Sequence, residues 1–500
     1  MQQDLVIGID SSTSGTKATA WDKAGVLVAE ARESIPMTNP APARFEQDPA
    51  DWWGSTVAAT RAVMAQINPA RVAAVSISNQ RETFGVFHED GTPVRPAIVW
   101  LDERGMDETD ALAQRVGSEK IRSICGKPVD VIVPINRMIW LQKHEPEQFK
   151  KIDRYSDVHG FLTKQMTGNW VTSTASADPS GMLDLRSLEW SAELLQTANL
   201  PASILPALAR PGEVIGTITD KAAEVTGLLA GTLLIAGGGD GQCAATGAGA
   251  IEPGVAYMNL GTAVVAGVYS PTYGHDQAFR TESVVGDGGY IFETVLKSGA
   301  FLIDWFQKEL AGGASLPDLE AEAMTSPIGS GGIALLPFWQ GSMTPHWDAK
   351  ARGIIAGISG SSKRGDIYRA LLEGLALDQA FALEKAVAAS GAKIDRIIAI
   401  GGGAASSLLL QIIADATDTP VYRAEVAEAS ALGAAACAAT GAGWFTNVNA
   451  AARAMTPDDL SETKPVPANV ARYAELRAIY DDLWPALSNW NARMWSFANQ

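Results

Sequence analysis

The sequence predicts an α/β protein made of two similar domains, residues 1–250 and 251–500, that face each other across a cleft. Three observations carry this. Five hundred residues exceed what one hydrophobic core organises. The chain opens on an apolar strand, Leu5–Asp10, that enters a turn of hydroxyls and leaves as a second strand. The same strand–turn–strand pattern returns at Val255–Leu260, Gly261-Thr262-Ala263 and Val264–Tyr269.

The elements follow in order. Strands are expected at Leu5–Asp10, Thr16–Asp22 and Val26–Ser34, then a helix introduced by Asp48-Pro49 and running through Trp52 to Ile67, because Asp at the cap and Pro at the first position start helices. A strand at Val72–Ser78 precedes a hairpin around Asp90-Gly91 that leads into Ala97–Trp100. Leu233–Ala236 reads as a short buried strand, Gly237–Gly239 as a glycine turn, and Gln242–Gly249 as a Gly/Ala-rich helix. Pro253-Gly254 marks the domain boundary. In the second half Ile367–Ser390 is a long helix stopped by Gly391, Arg396–Ile400 a strand, Leu408–Thr417 a helix, and Asn469–Phe497 a closing helix. Strands and helices of this kind give mixed sheets carrying helices on their faces.

Composition excludes several classes. A formal charge of −17 argues against a nucleic-acid or anionic-membrane surface, which needs a basic stripe. Cys125, Cys243 and Cys437 lie too far apart for a disulfide framework or thiolate zinc site, and a reducing cytoplasm suits them. The five histidines show no metal-ligand spacing. The first residues lack the basic, then long apolar, character of a signal peptide. The uncharged tracts 253–275 and 429–452 are broken by polar, Gly and Pro residues, so they read as buried interior rather than membrane spans.

The chemistry concentrates at strand ends. Asp10 followed by Ser11-Ser-Thr-Ser-Gly-Thr-Lys17 has the composition of a phosphate and metal cradle. Thr13, Ser14 and Thr16 offer hydroxyls, Gly15 allows positive φ and close approach, and Lys17 offers a point charge. Asp10 suits Mg²⁺ held through water. An ordinary polar turn explains this segment alone equally well. Asp240, behind three glycines and at the front of a helix, suits a general base accepting a substrate hydroxyl's proton, although Asp there also caps helices. Gly401-Gly402-Gly403-Ala404, between a strand and a helix, admits a flat ligand or phosphate. Gln80, Arg81 and Glu82 follow an apolar strand directly; Arg81 and Glu82 pair a fork of donors with acceptors, suited to adjacent hydroxyls, while a surface ion pair is the plainer explanation.

Asp10–Lys17, Gly237–Asp240, Asn259–Thr262, Leu336–Pro345 with Ala351-Arg352-Gly353, and Gly401–Gly403 resemble the successive motifs of the FGGY carbohydrate kinases, in the family's order and across nearly the whole chain. The resemblance implies an actin-like, ribonuclease-H-type fold whose two ATPase domains close over MgATP and a sugar. It implies Asp240 as catalytic base, Asp10 as the metal-side acid, and Thr13, Gly15 and Lys17 as the first phosphate turn. Gly261 and Thr262 would form the second, and Gly401–Gly403 the nucleotide glycines. Relatives of this kind are often dimers, which admits a homodimer, while the sequence itself carries no interface signature and leaves the oligomeric state open. Gly237–Asp240, Trp190-Ser191 and Thr344-Pro345-His346 are similar to xylulokinases, whereas Asn79–Thr83 and Ala97–Trp100 are similar to glycerol kinases. Ser342-Met343 replaces a more charged pair seen in many relatives. The expected reaction is ATP-dependent phosphorylation of a terminal hydroxyl on a short ketose or polyol, xylulose favoured. A glycerol or tetritol kinase is the alternative, and a non-catalytic actin-like ATP-binding protein the alternative of another class.

Overall fold

The computed structural model describes residues 3–424, 428–456 and 460–498. β1 (Leu5–Ser11) turns back antiparallel as β2 (Gly15–Trp21), and β3 (Leu27–Ser34) continues the meander. Leu5, Val6, Ile7 and Ile9 are all buried, as a strand covered on both faces requires. α1 (Pro49–Met64) begins as expected, with the Asp48 carboxylate accepting from the Ala50 N–H at 2.9 Å. It ends three residues earlier than expected, where Asn68-Pro69 starts a separate short turn. β4 (Val72–Asn79) lies parallel to β1; β5 (Val214–Thr217) and β6 (Leu233–Gly239) complete the order β5-β6-β4-β1-β2-β3.

The glycine turn expected at 237–239 is instead strand. Gly238 and Gly239 pair in register with Ser78 and Asn79, and α2 (Asp240–Gly247) starts immediately after them. The glycines serve close packing here. A methyl at 237 would strike the Ile77 carbonyl, and one at 239 the Arg81 and Gln242 side chains.

The second sheet repeats the first. β7 (Gly254–Leu260) turns back as β8 (Val264–Ser270). β9 (Arg280–Ser283), β10 (Tyr290–Leu296), β11 (Ile394–Ile400), β12 (Val421–Ala424) and β13 (Leu460–Thr463) give the order β9-β10-β8-β7-β11-β12-β13. Antiparallel β1–β2 and parallel β1–β4 correspond to antiparallel β7–β8 and parallel β7–β11. β3 corresponds to β10, and β9 is an addition outside it. α3 (Arg364–Ser390) lies on β8 and β10 as α1 lies on β2 and β3, and it stops at Gly391, φ 70°.

α2 and α4 (Ala429–Gly441) pack together where the two halves meet, and α4 lies on β1, β4 and β6 of the first sheet. Glycine permits the approach. A methyl on Gly433 would meet the Cys243 carbonyl, one on Gly247 the Ala429 carbonyl, and one on Gly8 the Ala431 carbonyl. The closing helix expected over Asn469–Phe497 is two helices, Pro467–Asp481 and Leu483–Ala498, parted at Asp482. Pro485 stands in the second helix's first turn, where a missing N–H costs nothing. Among the described residues no helix is long and apolar enough to cross a membrane, and all three cysteines are buried free thiols.

Candidate active site

A cavity of about 190 Å³ lies between the sheets. The carboxyl ends of β4 and β6 supply Arg81, Glu82 and Asp240; β7, β8 and β10 supply the opposite wall. Such ends of open α/β sheets are where ligands bind. Asp240, the first residue of α2, uses one oxygen for the protein: Oδ1 accepts from the Gly241 N–H at 2.8 Å and from Arg81 Nε at 3.1 Å. Among the described residues no donor reaches Oδ2, and 37% of the side chain is exposed to the cavity. Burial raises its pKa above the ordinary carboxylate value, with Arg81 opposing. This is a carboxylate steered by one oxygen and free to accept a proton on the other.

Arg81 and Glu82 line the cavity, but each is held by the second sheet. Arg81 Nη1 donates to Glu293 Oε2 at 2.9 Å, and Arg280 Nη1 donates to Glu82 Oε1 at 2.7 Å. The plainer explanation, a surface ion pair, is overturned, since both residues are buried. Glu82 also has φ 56°, a left-handed conformation that costs a non-glycine residue about 1–3 kcal/mol and collects at functional sites. Arg137 helps hold it, donating to the Glu82 carbonyl at 2.6 Å. Gln80 does not reach the cavity. It is buried, donating to Gln47 Oε1 at 3.0 Å and accepting from the Thr83 hydroxyl, so it braces the loop.

The second sheet builds its wall in rows. Asn259, Val265 and Val295 stand side by side across β7, β8 and β10 and all face the cavity. Lys297, one step beyond β10, lines it too and has no acidic partner among the described residues. Tyr257, Gly267, Glu293 and Arg280 form the next row down. None of the charged members of these rows was singled out from the sequence. The available signal was Arg280-Thr281-Glu282 and Glu293, charges set at strand positions inside apolar runs.

The first turn is more cross-braced than a free phosphate loop. Thr13 sits at the cavity rim with its hydroxyl accepting from Trp100 Nε1 at 2.9 Å, and Ser14 is exposed. Gly15 does not take positive φ; it is the first residue of β2, and its role is to let the Glu33 carbonyl approach. Thr16 is fully buried, its hydroxyl 2.8 Å from that of Ser55, so it cannot present a hydroxyl to a ligand. Lys17 pairs with Glu428 at the start of α4 rather than standing free. Asp10 accepts from the Ser78 hydroxyl at 2.8 Å, and burial, then the charge of Asp240, pushes its pKa up to about 7.

On the other side Gly261 and Thr262 line the cavity, their carbonyls accepting from Ala300 and Gly299 at 2.8 Å each. Gly401 has φ 84° and stands against Asn259, and around Gly402 there is open space. Ala404 turns its methyl into the core, leaving only backbone for a ligand.

The sequence patterns of the N-terminal and C-terminal domains of the FGGY family of carbohydrate kinases fit residues 5–247 and 256–442. The chain belongs to this family. An Escherichia coli xylulose kinase is 31% identical over 86% of this chain and 89% of its own, and a Gloeobacter violaceus glycerol kinase is 30% identical over 88% of each. The crystal structure of a xylulose kinase from Rhodospirillum rubrum superposes with a TM-score of 0.90 at 27% identity, covering 97% of this chain and 99% of that one. The two repeated sheets are therefore actin-like, ribonuclease-H-type domains, and the protein is an ATP-dependent carbohydrate kinase, a phosphotransferase with an alcohol acceptor.

Proposed function

We propose that this FGGY kinase transfers the γ-phosphoryl group of ATP to a terminal hydroxyl of a short ketose or polyol, with a ketopentose such as xylulose favoured. The observation that carries the reading is Asp240, one oxygen fixed by Arg81 and Gly241 and the other open to a small cavity at the junction of the domains. The acceptor hydroxyl donates to Oδ2. As its oxygen bonds to phosphorus and the bond to the ADP oxygen breaks, its proton passes to Asp240. Arg81 and Glu82 meet the neighbouring hydroxyls; Thr13, Ser14, Gly261 and Thr262 orient the phosphates. Gly401–Gly403 flank the adenosine, and Ala404 contributes backbone. We place the domain boundary near residue 250, between α2 and β7.

Mg²⁺ fits at Asp10. Asp10 stands at the carboxyl end of β1 with Oδ1 accepting from the Ser78 hydroxyl and no donor to Oδ2 among the described residues. Burial and then repulsion from Asp240 raise its pKa, and a divalent cation there would offset that repulsion. Among the described residues no group of three His, Cys, Asp or Glu side chains makes a metal site alone, which suits an ion that takes most of its ligands from phosphate and water. When bound, the ion supplies charge neutralisation on the β- and γ-phosphates.

The names of several relatives support xylulose. A cavity of only about 190 Å³, with Arg81 and Glu82 on its floor, favours glycerol or a tetritol as the second reading. ADP release measured with MgATP against xylulose, ribulose, glycerol and erythritol separates them. Activity on a ketopentose sustains the first reading, preference for glycerol or erythritol replaces it with the second, and silence on all four defeats both.

A further inference from the structure

Tyr257, Gly267, Glu293 and Arg280 occupy one row across four adjacent strands, β7, β8, β10 and β9. The glycine explains the row's geometry. A methyl at 267 would collide with the Tyr257 ring, so its absence lets the phenol lean across β8 and donate to Glu293 Oε2 at 2.8 Å. Arg81 Nη1 donates to both carboxylate oxygens, at 3.2 and 2.9 Å, and Arg280 Nε donates to Oε1 at 2.5 Å. Every acceptor direction of Glu293 is thus engaged, and the two arginines hold the carboxyl below its usual range although burial alone would raise it.

What the row grips belongs to the other domain. Arg81 passes the constraint to Asp240 through Nε, and Arg280 passes it to Glu82 through Nη1. A buried ion cluster is weak evidence for stability, because apolar residues of like volume often stabilise as well or better. Its ends here open on the cavity. We infer that Glu293, held by Tyr257, is a positioning residue for phosphoryl transfer, aiming Arg81 at Asp240 and Arg280 at Glu82 from across the domain junction. This rests on Asp240 and Arg81 acting as proposed above. Both arms rest on bonds that cross the junction, Arg81 to Glu293 and Arg280 to Glu82, so acceptor grip and base alignment depend on the same contact between the domains.

A double-mutant cycle tests it. Glu293→Gln keeps the shape and removes the charge, and it is expected to lower kcat by about 10²-fold, the cost of an ångström-scale misplacement, with the KM for ATP unchanged. In an Arg81→Lys background the same change is expected to cost kcat less than about 3-fold, since the arm that reaches the base is already lost, while the arm through Arg280 and Glu82 still shows as a raised KM for the acceptor. Multiplying losses, or a Glu293→Gln enzyme within about 3-fold of wild-type kcat, overturns the inference. Should Glu293→Gln not fold, Tyr257→Phe removes one bond with little change of shape. An approximately 3- to 10-fold loss of kcat that vanishes in the Arg81→Lys background supports the inference, and wild-type kcat overturns it. Asp240→Ala stands outside the cycle: full activity there would remove the base, whatever the cycle gives.

Discussion

β3 and β10 hold the same place in the two repeated sheets, yet they meet opposite surroundings. β3 is an edge strand with most of its residues exposed, including Leu27 and Val28. β10 is nearly all buried, covered at its edge by β9, and one of its faces carries Glu293, Val295 and then Lys297 up the wall of the cavity. Connectivity is therefore shared while chemistry is not. The fold supplies two equivalent positions, and the site uses the one that faces the junction, which is the general separation of function from fold.

The sharpest way to break this comparison is to move the chemistry away from the junction. Asp240→Ala should lower kcat by roughly 10²–10⁴ while nucleotide affinity, measured by calorimetry, stays near wild type. Undiminished turnover would mean the base lies elsewhere. Arg81→Ala ranks next. Because Arg81 touches Asp240 and lines the cavity proposed for the acceptor, both kcat and the acceptor KM should worsen, with the KM for ATP little altered. Glu293 would keep Arg280 and Tyr257 but lose its partner across the junction, so unfolding in urea should show a loss of about 3–5 kcal/mol, as when one member of a buried pair is removed. An equal rise in both KM values would take Arg81 out of the acceptor side.

Periodic and punctuating features were legible in the sequence. The strand–turn–strand openings, the Asp48-Pro49 helix start and the Gly391 stop are local signals, and each stands within a few residues of its reading. The misreadings share one cause. A glycine signals either a turn or a close approach, and only tertiary context separates them. Gly237–Gly239 and Gly15 have the local pattern of turn glycines, whereas they are strand residues against which other chain segments press. Lys17 and Thr16 had the right composition for a phosphate loop, but Glu428 and Ser55, far away in sequence, had already engaged them. Glu293 and Arg280 stand out only as charges at strand positions; what they do is not legible locally, since their partners across the junction stand some 200 residues away.

The two domains can also be compared at their contact. α2 and α4 cross on glycines, whereas Gly402 at the cleft has open space around it. Gly433→Ala should force the crossing apart and cost about 3 kcal/mol, the upper part of the range for overpacking, read as a lowered urea midpoint. Gly402→Ala should leave stability within about 0.5 kcal/mol, as surface changes do. Similar losses in both would mean that the crossing yields as freely as the open loop, and the domain contact would lose its special standing.

The smallest effect expected concerns the corresponding helices. α1 buries hydroxyls, Ser55, Thr56 and Thr60, against its sheet, while α3 buries a carboxyl, Asp378, whose Oδ2 finds no partner among the described residues and whose pKa burial raises to about 7. In the unfolded chain this carboxyl titrates near 3.9. Between the two values the folded state keeps a proton that the unfolded state releases, so wild-type stability falls as pH rises through this window and levels off above about 7. From pH 5.5 to 7 the loss amounts to about 1.6 kcal/mol, because the slope of about 1.36 kcal/mol per unit halves by the time the pH reaches the folded pKa. Asparagine does not titrate. The advantage of Asp378→Asn over wild type should therefore widen from pH 5.5 to pH 8 in paired melting curves, whereas Thr60→Val on α1, which removes a buried hydroxyl with no partner among the described residues, should give a difference independent of pH. A constant offset for Asp378→Asn would mean the carboxyl is already solvated or paired in the folded state, and the contrast between the helices would reduce to packing.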